Sequence, residues 1–294
     1  MTSSLRTVTV LGTGVLGSQI AFQAAYSGWK VTAYDIDDAA VAAAGKRLDA
    51  LSQTYATELT GATGNAAAAR ASIIVTSDLA HAVTDADIVI EAVPEVLDLK
   101  RELYGRLAPL LPEHTVLATN SSTFLPSDLV TFTGRPDRFL ALHFANQIWK
   151  FNTAEIMGTP ATDPAVFDQV VEFAGDIGMV AIPIQKEKPG YVLNSLLVPL
   201  LNAAGELAAF GYAEPHDIDE VWRIGTGAPF GPFQIYDIIG LTTPYNILAH
   251  GDDKDRAIAA WLKENYIDHG KLGLATGEGF YRYPAPDPGE PADA

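Results

Sequence analysis

The sequence predicts an α/β protein: a doubly wound, mostly parallel sheet followed by an all-helical region. Three observations predict it. A short β-branched run, Thr7–Leu11, leads into Gly12-Thr-Gly14-Val-Leu-Gly17, a helical stretch and a second strand, all within about 30 residues. Strand-length apolar runs then alternate with helical patterns as far as Ile184, the pattern of a parallel sheet covered on both faces. Beyond Lys186 the strand signal fades and long helical runs replace it.

Each element has a local reason. Thr7–Leu11 is rich in β-branched residues and reads as a buried strand, and Ser18–Ser27 carries a helical pattern that closes at Gly28. Lys30–Tyr34 is the second strand and ends at Asp35, completing the βαβ unit of a Rossmann-type fold. Asp38–Ala71 is Ala-rich and predicts a helix pair broken near Thr60–Gly64. Ile73–Thr76 is a strand, and a short helix begins at Asp78. Ala86–Glu91 is a strand and Leu97–Leu110 a helix; Val116–Thr119, Phe139–Leu142 and Val180–Ile184 are further strands. Pro189 suits the first turn of a helix over Tyr191–Phe210, and Gly211 suits its end. Gly225–Pro232 reads as a loop and Asp253–Asp268 as an amphipathic helix. The expected domains are therefore 1–186, binding a dinucleotide, and 187–283, helical. Residues 284–294 hold no large apolar side chain and predict a disordered tail.

Composition narrows the function. Of 294 residues, 36 are Asp or Glu and 19 are Lys or Arg, a formal net charge of −17. That surplus argues against nucleic-acid and anionic-membrane partners, which need a positive footprint. The chain has no cysteine, so disulfides, thiolate metal sites and a cysteine nucleophile are excluded together. No apolar run reaches the roughly 18 residues of a membrane span, and Met1–Arg6 lacks the apolar stretch of a signal peptide. The expected setting is the cytoplasm.

The Gly-rich turn carries a mechanism. Gly12 permits the tight turn, Gly14 lets backbone approach a pyrophosphate, and Gly17 lets helix pack on strand. The free N–H groups of the first helical turn, at Val15 and Leu16, then face the phosphates. Asp35, 18 residues after Gly17, stands where a carboxylate accepts the ribose hydroxyls of adenosine and repels a 2′-phosphate. Asp37 and Asp38 add negative charge and no Arg follows directly, which favours NAD over NADP. Glu95 and Lys100, after the strand ending at Glu91, either line the nicotinamide ribose or are surface charges on the next helix. His143 and Glu155 are 12 residues apart. Two short strands joined by a short excursion would bring them side by side, a carboxylate orienting an imidazole for proton transfer. By spacing alone a structural histidine is the more frequent reading, and Ser122 in Asn120-Ser121-Ser122 equally suits a turn.

Taken together these residues resemble the 3-hydroxyacyl-CoA dehydrogenase family, over residues 6 to 283. The motifs are Gly12–Gly17, Ile90-Glu-Ala-Val-Pro-Glu95, Asn120-Ser-Ser122, His143-Phe-Ala-Asn146, Lys188-Pro-Gly-Tyr-Val-Leu-Asn194, Gly231-Pro-Phe and Thr276-Gly-Glu-Gly-Phe-Tyr281. Within the family, Leu142–Asn146, Thr153-Ala-Glu155 and Trp222–Pro229 resemble the bacterial diketoreductase branch. The resemblance implies a Rossmann domain, a helical C-terminal domain that forms a homodimer, and hydride exchange between NAD(H) and a 3-hydroxy or 3-keto group, with no metal. It implies His143 as acid/base, Glu155 as its orienting partner, Ser122 and Asn194 at the reacting oxygen or substrate, and Asn120, Asn146, Glu95 and Lys100 along the cofactor.

Three departures bear on the substrate. The family's His-Phe-Phe-Asn-Pro here reads His143-Phe-Ala-Asn-Gln147, and Ala275 replaces a common Lys. The helix pair after Asp35, Lys-rich in acyl-CoA enzymes, holds only Lys46, Arg47 and Arg70. Few cations would meet the phosphates of CoA. The expected substrate is a small carbonyl compound or hydroxy acid, such as a CoA-free diketo ester, with Trp149 and Trp222 as candidate pocket walls. A short-chain 3-hydroxyacyl-CoA such as 3-hydroxybutyryl-CoA is the alternative. Two other classes are weaker: a dehydrogenase with a Lys acid/base, because Lys188 precedes the long helix, and a non-catalytic NAD-binding protein, because Ser122, His143, Glu155 and Asn194 are all present.

Overall fold

The computed structural model describes residues 7–59 and 63–283, and two compact units divide at Val192/Leu193. Of the helix break expected near Thr60–Gly64, residues 60–62 lie outside the described residues, as does the tail at 284–294, while Thr63 and Gly64 open a helix.

The first unit is a three-layer α/β structure. Its elements run β1 (Thr7–Leu11), α1 (Val15–Tyr26), β2 (Lys30–Tyr34), α2 (Asp38–Glu58), α3 (Thr63–Ser72), β3 (Ile74–Thr76), α4 (Leu79–Val83), β4 (Ile88–Glu91) and α5 (Leu97–Leu107). There follow β5 (Val116–Thr119), α6 (Pro126–Leu129), β6 (Phe139–Phe144), β7 (Thr153–Gly158), α7 (Pro164–Asp176) and β8 (Val180–Ile184). The strands form one sheet in the order β3-β2-β1-β4-β5-β6-β7-β8. All neighbours are parallel except β6 and β7, which pair antiparallel. The order reverses between β1 and β4, the crevice where open α/β sheets bind ligands. One face is covered by α1, α2, α3 and α7 around Phe22, Tyr55 and Phe173, the other by α4 and α5 around Tyr104, Leu107 and Phe139.

Alternation along β6 decides which side chains meet that second face. Leu140, Leu142 and Phe144 enter the first layer, so Phe139, Ala141 and His143 point the other way. The sequence reading assigns no helix to 164–176. Its signal is ordinary: Asp163 caps α7 by accepting from the Ala165 N–H, and Pro164 fills the first turn.

The second unit is helical: α8 (Leu193–Ala209), α9 (Pro215–Thr226), α10 (Pro232–Ile239), α11 (Thr242–Leu248) and α12 (Asp253–Asn265) around Phe233, Tyr236, Leu262 and Phe280. Two buried carboxylates tie its parts together. Asp219 accepts from the Phe233 and Gln234 N–H groups at the start of α10 and from the Tyr281 hydroxyl. Asp237 accepts from the Phe280 and Tyr281 N–H groups and the Tyr283 hydroxyl. Several boundaries differ from expectation, among them that of the amphipathic helix, which ends at Asn265 and not Asp268. The first helix begins at Leu193, not Tyr191, because Tyr191 takes a left-handed φ of +53° and closes a turn on the Lys188 carbonyl. Gly225 and Thr226 belong to α9, which stops one residue later at left-handed Gly227. Among the described residues no helix is long and apolar enough to cross a membrane.

Candidate active site

The Gly-rich turn leaves β1 at Gly12, whose φ of +89° and contact with the Ala92 carbonyl exclude a side chain. A Cβ on Gly17 would lie 1.9 Å from the Gly12 carbonyl oxygen, whereas Gly14 faces open space. The first turn of α1, with Val15 and Leu16, carries neither an acidic residue nor a side-chain cap, so its N–H groups suit an anion. This cradle fits the pyrophosphate of NAD. At the end of β2, Asp35 Oδ2 accepts from the Thr13 N–H at 2.8 Å and from the Thr13 hydroxyl, while Oδ1 takes the Ile36 N–H at 2.8 Å. The carboxylate is thus fixed beside the turn. Asp37 caps α2 and Asp38 accepts from Ser77, so both carboxylates also have local structural roles.

Across the switch point, β4 ends in a buried charge network. Glu91 is fully buried and accepts from Lys100 Nζ at 2.6 Å, the Tyr104 hydroxyl at 2.6 Å, the Thr119 hydroxyl at 2.8 Å and the Val93 N–H at 3.0 Å. Lys100, itself buried, also lies 3.2 Å from Glu95 Oε2. Glu95 Oε1 takes the Thr123 N–H at 2.9 Å, the Thr123 hydroxyl at 2.8 Å and the Ser121 hydroxyl. Burial alone would raise the Glu95 carboxyl; the hydrogen bonds from Ser121 and Thr123 and the Lys100 ammonium outweigh it and hold it at about 2. Lys100 is therefore no surface charge. With Glu91, Glu95, Asn120 and Ser122 it lines a cavity of about 330 Å³.

The third group sits on β6 and β7. Antiparallel register places His143 directly opposite Glu155, and His143 Nδ1 lies 3.1 Å from Glu155 Oε2. Ser122 Oγ is 3.0 Å from His143 Nε2. Because Glu155 can only accept when ionised, the network assigns the neutral ring's hydrogen to Nδ1 and leaves Nε2 as the acceptor for Ser122. The other Glu155 oxygen takes the Val192 N–H at 2.8 Å. Asn120 Oδ1 accepts from the Phe144 N–H at 2.9 Å, locking the strand that carries His143. The result is a serine, an imidazole and a carboxylate in one chain, the serine end open and the carboxylate end buried. Such a chain can present or withdraw a proton at Nε2.

The remaining sequence-predicted residues are placed elsewhere or in the other unit. Asn146 is exposed in the turn after β6. Trp149 packs on Tyr55 of α2, ring centroids 5.5 Å apart, and donates to Glu58 at 2.8 Å. Asn194 lies in the first turn of α8 and Trp222, half-buried, in α9, both in the second unit. Two residues that matter were not singled out from sequence. Glu91 had a signal, an acid ending the apolar run Ile88-Val-Ile; Tyr191 had only its place in the motif Lys188–Asn194, and apolar spacing assigns it to a helix.

Comparison with known proteins identifies the family. The model for the 3-hydroxyacyl-CoA dehydrogenase NAD-binding domain matches residues 7–188, and that for the 3-hydroxyacyl-CoA dehydrogenase C-terminal domain matches 190–283. The mitochondrial hydroxyacyl-coenzyme A dehydrogenase of Rattus norvegicus is 34% identical over 288 residues, 95% of this chain and 91% of that protein. A probable 3-hydroxybutyryl-CoA dehydrogenase of Bacillus subtilis is 34% identical over 95% of this chain and 98% of its own. Among solved structures, a diketoreductase described in terms of substrate-directed dual catalysis of dicarbonyl compounds is 64% identical, with a TM-score of 0.94 over 96% of this chain and 100% of that one. The (S)-3-hydroxybutyryl-CoA dehydrogenase of Ralstonia eutropha is 31% identical, with a TM-score of 0.80 over the same shares.

Proposed function

The chain belongs to the 3-hydroxyacyl-CoA dehydrogenase family and is an NAD-dependent oxidoreductase, and from that premise we propose that it interconverts β-keto and β-hydroxy groups on CoA-free substrates such as diketo esters. The observation that carries the chemistry is the Ser122–His143–Glu155 chain at the strand ends beside the dinucleotide crevice.

In this reading the Gly12–Gly17 turn holds the pyrophosphate and Asp35 the adenosine ribose, with Glu95, Lys100, Asn120 and Asn146 towards the nicotinamide end. Bound NADH supplies the hydride that reduces the carbonyl carbon. His143 delivers the proton to the carbonyl oxygen from Nε2 and takes it back in the oxidative direction. Glu155 keeps the ring's Nδ1 protonated and its plane fixed. The Ser122 hydroxyl donates to the reacting oxygen, and Asn194 is the further substrate contact that the family resemblance implies.

Two observations favour a substrate without CoA. The diketoreductase is far more similar in sequence than the CoA dehydrogenases, 64% against 34% or less for the relatives named above. Two of the three cations of α2 and α3 are also engaged: Arg70 pairs with Asp49 at 2.7 Å, and Arg47 donates to the Thr13 carbonyl at 3.3 Å. The names of the curated relatives favour the second reading, a short-chain 3-hydroxyacyl-CoA dehydrogenase. Parallel kinetics with acetoacetyl-CoA and a β,δ-diketo ester separate the two. Reduction of the diketo ester at least as efficiently as the thioester is expected. A micromolar KM for acetoacetyl-CoA that rises steeply with salt, with negligible activity on CoA-free diketones, would establish the second.

We also infer a homodimer through the second unit. Leu196, Val221 and Ile224 are 70%, 73% and 76% exposed on α8 and α9, an apolar surface that a second copy would cover. Light scattering that gives a single-chain mass at micromolar concentration would refute this.

A further inference from the structure

Resting on the reading of His143 as acid/base, we propose that Tyr191 is a positioning residue for the reaction, its ring and the peptide after it fixing the imidazole and its carboxylate in one geometry.

Tyr191 touches His143 directly and, through its chain neighbour Val192 and the neighbour of Ser122, ties to the two ends of the proton chain. Its ring lies flat on the His143 ring, centroids 4.3 Å apart and planes 11° from parallel. Its hydroxyl donates at 2.7 Å to the carbonyl of Ser121, the residue before Ser122. The next N–H, that of Val192, donates at 2.8 Å to the Glu155 oxygen not used by His143. The phenol is almost fully buried. Burial first, then the negative charges of Glu95, Glu155 and Glu91, push its pKa well up, so it stays a neutral donor and takes no part as an acid itself.

The backbone supplies an independent observation. A φ of +53° is unusual for a bulky aromatic residue and persists only where the surroundings over-determine it. Here the Tyr191 N–H closes on the Lys188 carbonyl at 3.0 Å, and the inverted peptide turns the Val192 N–H into the Glu155 carboxylate. An extended or helical Tyr191 would aim that N–H elsewhere.

The need for such a clamp follows from torsional softness. The second side-chain torsion of histidine is broad, so one carboxylate contact leaves the ring free to rock about the Nδ1–Oε2 line. Rocking lifts Nε2 from Ser122 and from any substrate oxygen. A flat ring packed on the imidazole face removes that motion, and the hydroxyl tie to Ser121 keeps Ser122 in register with it.

The test uses the whole protein in three forms: Tyr191→Phe, Tyr191→Leu and His143→Ala. Each is measured for kcat, KM and NADH affinity, and the first two also by ring ¹⁵N NMR of His143. Tyr191→Leu should lower kcat by roughly tenfold or more, since small misplacements of reacting groups are costly, with NADH affinity within about twofold. Its His143 Nδ1–H signal should shift or vanish. Tyr191→Phe keeps the stack and should retain at least about a third of kcat with an unmoved signal. Should the leucine variant fail to fold, Tyr191→Met fills the same volume without a flat ring and is read the same way. The proposal is overturned by a Tyr191→Leu or Tyr191→Met protein with near-wild-type kcat and an unmoved His143 signal, or by a Phe variant that loses as much as the leucine one. An active His143→Ala protein would instead refute the acid/base reading, while the NMR comparison would still report whether Tyr191 holds the ring.

Discussion

Replacing Glu155 by glutamine preserves shape but removes the negative charge beside the imidazole and, with it, the ability to accept at both oxygens. In the wild type Oε2 faces His143 Nδ1 at 3.1 Å and Oε1 takes the Val192 N–H at 2.8 Å. An amide has one acceptor end and one donor end. With its oxygen on Val192, its NH₂ faces Nδ1 and forces the hydrogen onto Nε2, the wrong tautomer for accepting from Ser122. With its oxygen on Nδ1, its NH₂ meets the Val192 N–H, and the two donors face each other in a partly buried site. The first arrangement removes the positioned proton transfer, worth about 10²–10⁴-fold in rate. The second costs stability, with the roughly 1–3 kcal/mol of a fully buried unpaired donor as its ceiling. Glu155→Gln should therefore lose at least about 10²-fold in kcat, followed by NADH absorbance at saturating substrate. Fluorescence titration should show NADH affinity almost unchanged, because the pair lies away from the Gly-rich turn. A variant that keeps more than about a third of wild-type kcat would refute the reasoning.

Three further outcomes follow from the charge networks. Lys100→Met leaves the buried Glu91 carboxylate without its cation and should destabilise the fold by about 3–5 kcal/mol in urea, with Glu91→Gln added to it recovering part of the loss; an unchanged unfolding midpoint would contradict the network. Glu95, held at about 2, binds its proton less readily folded than unfolded, so its contribution is present above the ordinary glutamate range and is lost as pH falls through that range towards 2. Acid unfolding of Glu95→Gln should accordingly depend less on pH over that window, and identical pH dependence would count against the assignment. NADH should outperform NADPH by a wide margin in kcat/KM because a 2′-phosphate would face Asp35. Asp35→Ser, which leaves Arg47 beside the same turn, should narrow that margin, and comparable use of both cofactors by the wild type would refute the role of Asp35.

Legibility in the sequence followed the range over which each feature is determined. The Gly-rich turn works through local backbone freedom and steric contact, so three glycines after a strand are enough to locate the cradle. Glu91 was half legible: an acid closing an apolar strand marks a buried charge, but its partners come from two other places in the chain, Lys100 and Tyr104 from α5 and Thr119 from β5. Tyr191 was not legible. Apolar spacing counts it as a helical residue, and its left-handed conformation is imposed by contacts with His143, Ser121 and, through the next peptide, Glu155. The family resemblance changed the reading of His143, because spacing alone could not separate a catalytic imidazole from a structural one.

The reversal of direction at β7 explains why a pair 12 residues apart in sequence forms here. A parallel neighbour of β6 would require a long crossover before its strand began, and its residue opposite His143 would come from far along the chain. The short excursion from Phe144 to Thr153 instead turns the chain back at the edge where β1, β4 and β5 end. Directly opposed residues on antiparallel strands share a face, so Ala141 meets Met157 and His143 meets Glu155 on the face away from Leu140, Leu142 and Phe144. A one-residue slip in that register would turn Glu155 into the apolar layer around Phe173 and turn Ala154 and Ile156 out of it towards the histidine face. Burial of Ala154 and Ile156 opposes such a slip, so the hydrophobic layer on one face of the sheet specifies the proton chain on the other.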